Sequence, residues 1–143
     1  MGVVKAAMKY KIILGLALVL VGLTASAADT NSLRVVVIPS KADVRVREPF
    51  SLALRVENPT ATNQTVRVMN CSWQDEWTNS NPKIPWIGWD CTKNFAVNVE
   101  IPPGGAYTNE SEMLIYDLIP DKELFFRMGF TPIGSKTTFG ARK

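Results

Sequence analysis

The clearest signal in the chain is an alternation. In the stretch PFSLALRVEN, Phe50, Leu52, Leu54 and Val56 fall on one face, and Ser51, Ala53, Arg55 and Glu57 fall on the other. A period of two marks a strand with one buried side. Asn58-Pro59-Thr60 then breaks it with turn chemistry. The same kind of reading predicts strands over LRVVVI (33–38), stopped by Pro39-Ser40, and over QTVRVMN (64–70). In NFAVNVEI (94–101), Phe95, Val97, Val99 and Ile101 share a side, and Pro102-Pro103-Gly104-Gly105 follows as a strong turn. EMLIYDL (112–118) and ELFFRMGF (123–130) read as two further strands, with a short last one near 137–139. Beyond the N-terminal segment no stretch carries a helical period over about ten residues. The expected fold class is all-β, an antiparallel immunoglobulin-like β-sandwich of about seven to eight strands.

The N-terminus follows another pattern. Lys5, Lys9 and Lys11 precede the uncharged apolar run Ile12 to Thr24, and the small residues Ala25-Ser26-Ala27-Ala28 follow it. That order of charge, apolar core and small residues is the order of a secretory signal peptide. The run is short of the about 20 residues that span a bilayer. The expected division is a signal peptide over 1–27, cut after Ala27, and one sandwich domain over 28–143. No cysteine follows the apolar run, so no lipoprotein anchor is expected. Membrane contact is expected only through the export signal, were it left uncut, and the location is periplasmic or secreted.

The cut changes the charge. The whole chain has 16 Lys+Arg against 13 Asp+Glu, and removing Lys5, Lys9 and Lys11 leaves a balance of zero. The basic pI belongs to the export signal, so no nucleic-acid partner is expected, because a phosphate-binding surface needs surplus cations on one face. In an oxidising compartment the only two cysteines, Cys71 and Cys91, read as a disulfide.

That staple would close CSWQDEWTNSNPKIPWIGWDC, which holds all four tryptophans of the chain, Trp73, Trp77, Trp86 and Trp89. These four are the candidate binding residues. Indoles offer rigid faces to a sugar ring or a partner's side chain, and a connection this long is often functional. The competing reading is structural: an indole packed over a disulfide is an established feature of immunoglobulin-like cores. On this second view Trp73 and Trp89, each two residues from a cysteine, are packed. Trp77 and Trp86, nearer the tip, are the ones expected at the surface. Ile84, Trp86 and Trp89 around Gly88 suit an edge strand leading into Cys91.

Catalysis is not expected. The chain has no histidine, which removes the commonest general base and the Ser-His-Asp and Cys-His arrangements. No phosphate-cradling loop is present, and no cofactor or metal is called for. Asp75, Glu76 and Asp90 are the only carboxylates gathered in the stapled loop, and neighbours on an extended segment point to opposite faces.

The passages LALRVENPT (52–60), IPPGGAYTNESEMLI (101–115) and FRMGFTP (126–132) resemble the BsuPI-type proteinase-inhibitor family over residues 47–132. The resemblance implies an antiparallel barrel or sandwich and inhibition of a serine protease. The family includes an intracellular inhibitor and does not require a disulfide-flanked, tryptophan-rich loop. Its motifs assign no inhibitory residues to positions of this chain. The expected function is an exported, non-enzymatic binding module whose partner is a protein, with a protease as the implied case. A polysaccharide bound on Trp77 and Trp86, or a structural place in a surface assembly, are the alternatives.

Overall fold

A computed structural model describes residues 9–12, 32–88, 90–116, 123–124 and 126–140. Ten strands run through them: β1 (Lys9–Ile12), β2 (Arg34–Pro39), β3 (Asp43–Arg45), β4 (Phe50–Glu57), β5 (Gln64–Met69), β6 (Trp77–Asn79), β7 (Ala96–Ile101), β8 (Ala106–Met113), β9 (Glu123–Leu124) and β10 (Met128–Phe130). The one helical element among the described residues is a 3-10 turn, Trp73–Glu76. The protein is therefore mostly β. Its sheets run in the orders β2-β4-β8, β5-β7, β10-β6 and β3-β1-β9, with every pair antiparallel except β1 and β9.

The alternation in β4 sets the core. Phe50, Leu52, Leu54 and Val56 are all buried, while Ser51, Ala53, Arg55 and Glu57 between them are half-buried. Val56 lies opposite Val35 of β2 and Tyr107 of β8, and Leu54 opposite Val37 and Asn109. This face joins Val66 and Val68 of β5, Ile101 of β7 and the run Phe126, Met128, Phe130 in one hydrophobic cluster. On the outer face Arg34 of β2 meets its cross-strand neighbour Glu57, which Arg55 also approaches at 3.4 Å. Exposed pairs of this kind add little stability.

The turn after β4 is tied by Asn58, which is 1% exposed. Its amide nitrogen donates to the carbonyls of Thr62 and Ile101, each at 2.8 Å. Its amide oxygen accepts from the Thr60 backbone N–H at 3.0 Å and from the Thr60 hydroxyl at 2.7 Å. Its own N–H donates to Gly105 O, and its carbonyl accepts from the Gly104 N–H. One residue, through its side chain and its backbone, thus joins the end of β4, the start of β5 and the β7–β8 turn, where Gly104 supplies a φ of 71°.

Several strands differ from the sequence reading. EMLIYDL was expected to form a strand, but β8 spans Ala106–Met113, and 114–116 are not strand. The inward row of β8 is Tyr107, Asn109, Ser111 and Met113, so the apolar alternation that marks a strand is missing there. ELFFRMGF is split into β9 and β10. The last strand reduces to a bridge between Phe139 and Phe130. There Gly140, at φ 85°, passes so close to β2 that a Cβ would lie 2.7 Å from the Val35 Cβ. Phe95 shares a side with Val97 and Val99 but lies beyond the end of the core and is 58% exposed. Of the expected signal peptide, residues 9–12 form β1, and the rest lies outside the described residues. Among the described residues no helix is long and apolar enough to cross a membrane.

Candidate functional site

The base of the loop is closed by the Cys71–Cys91 disulfide, with Cα atoms 5.8 Å apart. Asn94 braces it from the β7 side: its amide oxygen accepts from the N–H groups of Ser72 (3.2 Å) and Cys71 (3.4 Å), and its amide nitrogen donates to Ser72 Oγ at 2.7 Å. Asn70 and Phe95 pair next to it, through Asn70 N–H to Phe95 O and Phe95 N–H to the Asn70 side-chain oxygen.

The chain then turns inward. Gln74 hydrogen-bonds Ser111 of β8. Glu76 is 5% exposed; one carboxyl oxygen accepts from the Met69 N–H at 3.2 Å, and its carbonyl accepts from the Thr131 N–H at 2.7 Å. Burial pushes the Glu76 carboxyl up from its ordinary value, against the Met69 amide, which pulls it down. Its other oxygen has no hydrogen-bond partner among the described residues, nor does Trp77 Nε1. Burial likewise raises the Tyr107 hydroxyl, against a hydrogen bond with the Asn109 side chain that pulls it down, and the Glu76 charge adds a little to the rise.

Trp77 overturns one expectation. Expected at the surface, it is 4% exposed. As the first residue of β6 it lies opposite Phe130 of β10, with ring centroids 5.1 Å apart at 50°. The pairing joins segments far apart along the chain, so nothing local announces it. Trp86 is half-buried, packs against the core and bridges Met113 at the edge of β8. The Ile87 N–H donates to Glu112 O and the Leu114 N–H to Pro85 O on either side of that bridge. Residues 85–87 thus lie along β8 where an edge strand was expected. Trp73 is half-buried against the same core. Trp89 lies outside the described residues.

What reaches solvent is the tip. Ser80, Pro82 and Lys83 there are exposed and Asn81 is half-buried, while Ile84 below them is fully buried. The tip holds itself in shape. Asn79 Nδ2 donates to Ile84 O (2.7 Å), Asn79 Oδ1 accepts from the Asn81 N–H (2.9 Å), and Asn81 Oδ1 accepts from the Lys83 N–H (3.1 Å). The Ser80 N–H donates to Arg127 O, and Ser80 Oγ accepts from the Arg127 N–H at 2.8 Å.

The carboxylates of the loop do not share one setting, since Asp75 and Asp90 are exposed and Glu76 is buried. Among the described residues no three His, Cys, Asp or Glu side chains are grouped to hold a metal ion. Two shallow open clefts, missed in the sequence, lie outside the tip. One, of about 330 Å³, is lined by Ser51, Ile87, Gly88, Glu110, Ser111 and Glu112. The other, of about 400 Å³, runs between β5 and the 132–135 turn. None of the described tryptophans lines either. No protein-family model matches the chain, and neither a curated protein nor a solved structure matches it.

Proposed function

We propose that the protein is an exported, non-enzymatic binding module of immunoglobulin-like sandwich form, and that it presents the tip of its stapled loop to a protein partner. The observation that carries this reading is the tip itself. Residues 79–84 are fixed by their own side-chain and backbone hydrogen bonds, above a buried Ile84 and a disulfide. A segment ordered in advance loses little freedom on binding, which is where affinity is otherwise spent. Its one charged residue is the exposed Lys83. Together with the family resemblance, this favours a serine protease whose specificity pocket takes a basic side chain.

The disulfide is compatible with a periplasmic or extracellular setting. A cut after Ala27 would remove β1 from its place between β3 and β9. The polysaccharide reading loses support, because Trp77 has no free face and Trp86 is packed along β8.

The test is titration of the purified, oxidised protein against trypsin-like, chymotrypsin-like and elastase-like proteases. Stoichiometric inhibition confined to the trypsin-like class, and lost in Lys83→Ala, supports the reading. No inhibition at a tenfold molar excess over any of them removes the protease as partner.

A further inference from the structure

A second surface lies away from the tip. β7 pairs with β5 on one side and with no described strand on the other. The Asn70–Phe95 hydrogen bond sets the phase of the ladder, so the backbone groups of residues 95, 97, 99 and 101 point toward β5. Alternation then turns the N–H and C=O groups of Ala96, Asn98 and Glu100 outward. Asn98 and Glu100 are exposed as well.

Edge strands of soluble proteins are ordinarily blunted by lysine, proline, a bulge or a cover. β7 has none of these among the described residues. Its register with β5 is continuous from Gln64↔Ile101 to Met69↔Ala96, its sequence is AVNVEI, and its one charge is Glu100. At its start stands Phe95, the most exposed large hydrophobic side chain described.

We infer that β7 is the interface of a two-fold homodimer, in which the β7 strands of two copies pair antiparallel about Asn98. The register is self-complementary. It sets Asn98 against Asn98 of the second copy and Ala96 against Glu100, so all three outward-facing residues on each strand find backbone partners. No like charges meet, and the facing Asn98 amides can hydrogen-bond each other. Phe95 falls opposite Ile101 of the second copy and beside its Pro102, which covers the exposed ring at both ends of the pair. A register shifted by two residues in either direction leaves an outward-facing residue on each copy unpaired. The occupant this edge fits is therefore a second copy of the same chain. The surface is separate from the loop tip, so neither proposal depends on the other.

The test is sedimentation equilibrium of the full oxidised protein from about 10 µM to 1 mM, together with amide hydrogen exchange at both ends of that range. The expected result is a rise from monomer to dimer mass, with the Ala96, Asn98 and Glu100 amides gaining protection at high concentration. Asn98→Pro removes only an outward N–H and should weaken association at least tenfold. Asn98→Lys, which sets two cations face to face on the axis and leaves the backbone intact, should do the same. A protein that stays monomeric at 1 mM overturns the inference. So does a dimer unaffected by both substitutions, or one in which the β7 amides gain no protection.

Discussion

Replacing Asn58 tests how the turn after β4 is held. In Asn58→Ala the two backbone hydrogen bonds to the Gly104–Gly105 turn can persist, but four side-chain bonds disappear. The partners in the Thr60–Thr62 turn can be rehydrated, so those losses are worth about 0.5–1 kcal/mol each. The Ile101 carbonyl is different. Its bond with Asn58 is buried, and leaving such an acceptor unpaired costs about 1–3 kcal/mol. The sum is a loss of about 2.5–6 kcal/mol, a large share of the 5–15 kcal/mol typical of a domain. Urea unfolding should show a lower midpoint with an unchanged slope, and the melting temperature should fall by roughly 10 °C or more. Asn58→Asp provides the sharper check. It is nearly isosteric and keeps the oxygen that accepts from Thr60, but it puts a carboxylate oxygen in place of the amide nitrogen that donates to two carbonyls, so it should cost more than alanine. An alanine variant within 0.5 kcal/mol of wild type, or an aspartate milder than alanine, would refute the reasoning.

Three further outcomes are expected. Glu76→Gln keeps an acceptor for the Met69 amide and removes a carboxyl whose pKa burial raises above 4.5. The folded state holds that proton longer than the unfolded one, so this contribution is fully present below 4.5 and is lost as pH rises through the raised value. The Glu76→Gln variant should therefore gain stability relative to wild type as pH rises, and chemical unfolding giving a difference constant from about pH 4 to 8 would contradict this. Converting both Cys71 and Cys91 to serine should cost about 3 kcal/mol, given their separation of 20 positions. Tryptophan emission checks it, because every indole lies inside the stapled loop. Gly140→Ala should cost about 2 kcal/mol, since alanine meets both an unfavourable φ and the Val35 side chain; a neutral result by thermal melting would show that Phe139 and Gly140 move away freely.

The parts of the fold legible in the sequence are those where one face is uniformly apolar. β4 buries Phe50, Leu52, Leu54 and Val56 as its alternation requires, and β5 buries Val66 and Val68. β8 was misplaced for the opposite reason. Its inward positions include the polar residues Asn109 and Ser111, the latter meeting Gln74 of the 3-10 turn, so the strand carries polar residues on both faces. In the loop, the disulfide follows from the chain's having only two cysteines, and the return of 85–87 to a sheet edge from local spacing. The burial of Trp77 does not, because it depends on β6 finding β10 across a long stretch of chain. Nor does the exposure of Phe95, which depends on where the opposing sheet ends.

The anchoring of the excursion between Cys71 and Cys91 also bears on how such a chain can diversify. Trp77, Ile84 and Trp86 fix the two arms to the body of the domain, so changes there are changes to the core. Residues 80–83 lie between those anchors and owe their shape to one another, to the Asn79 side chain and to the Arg127 backbone. Substitution or short insertion at Pro82 and Lys83 would alter the surface offered to a partner without reaching a buried side chain. The excursion has the layout of a display frame, with its variable part already separated from the part that must stay constant.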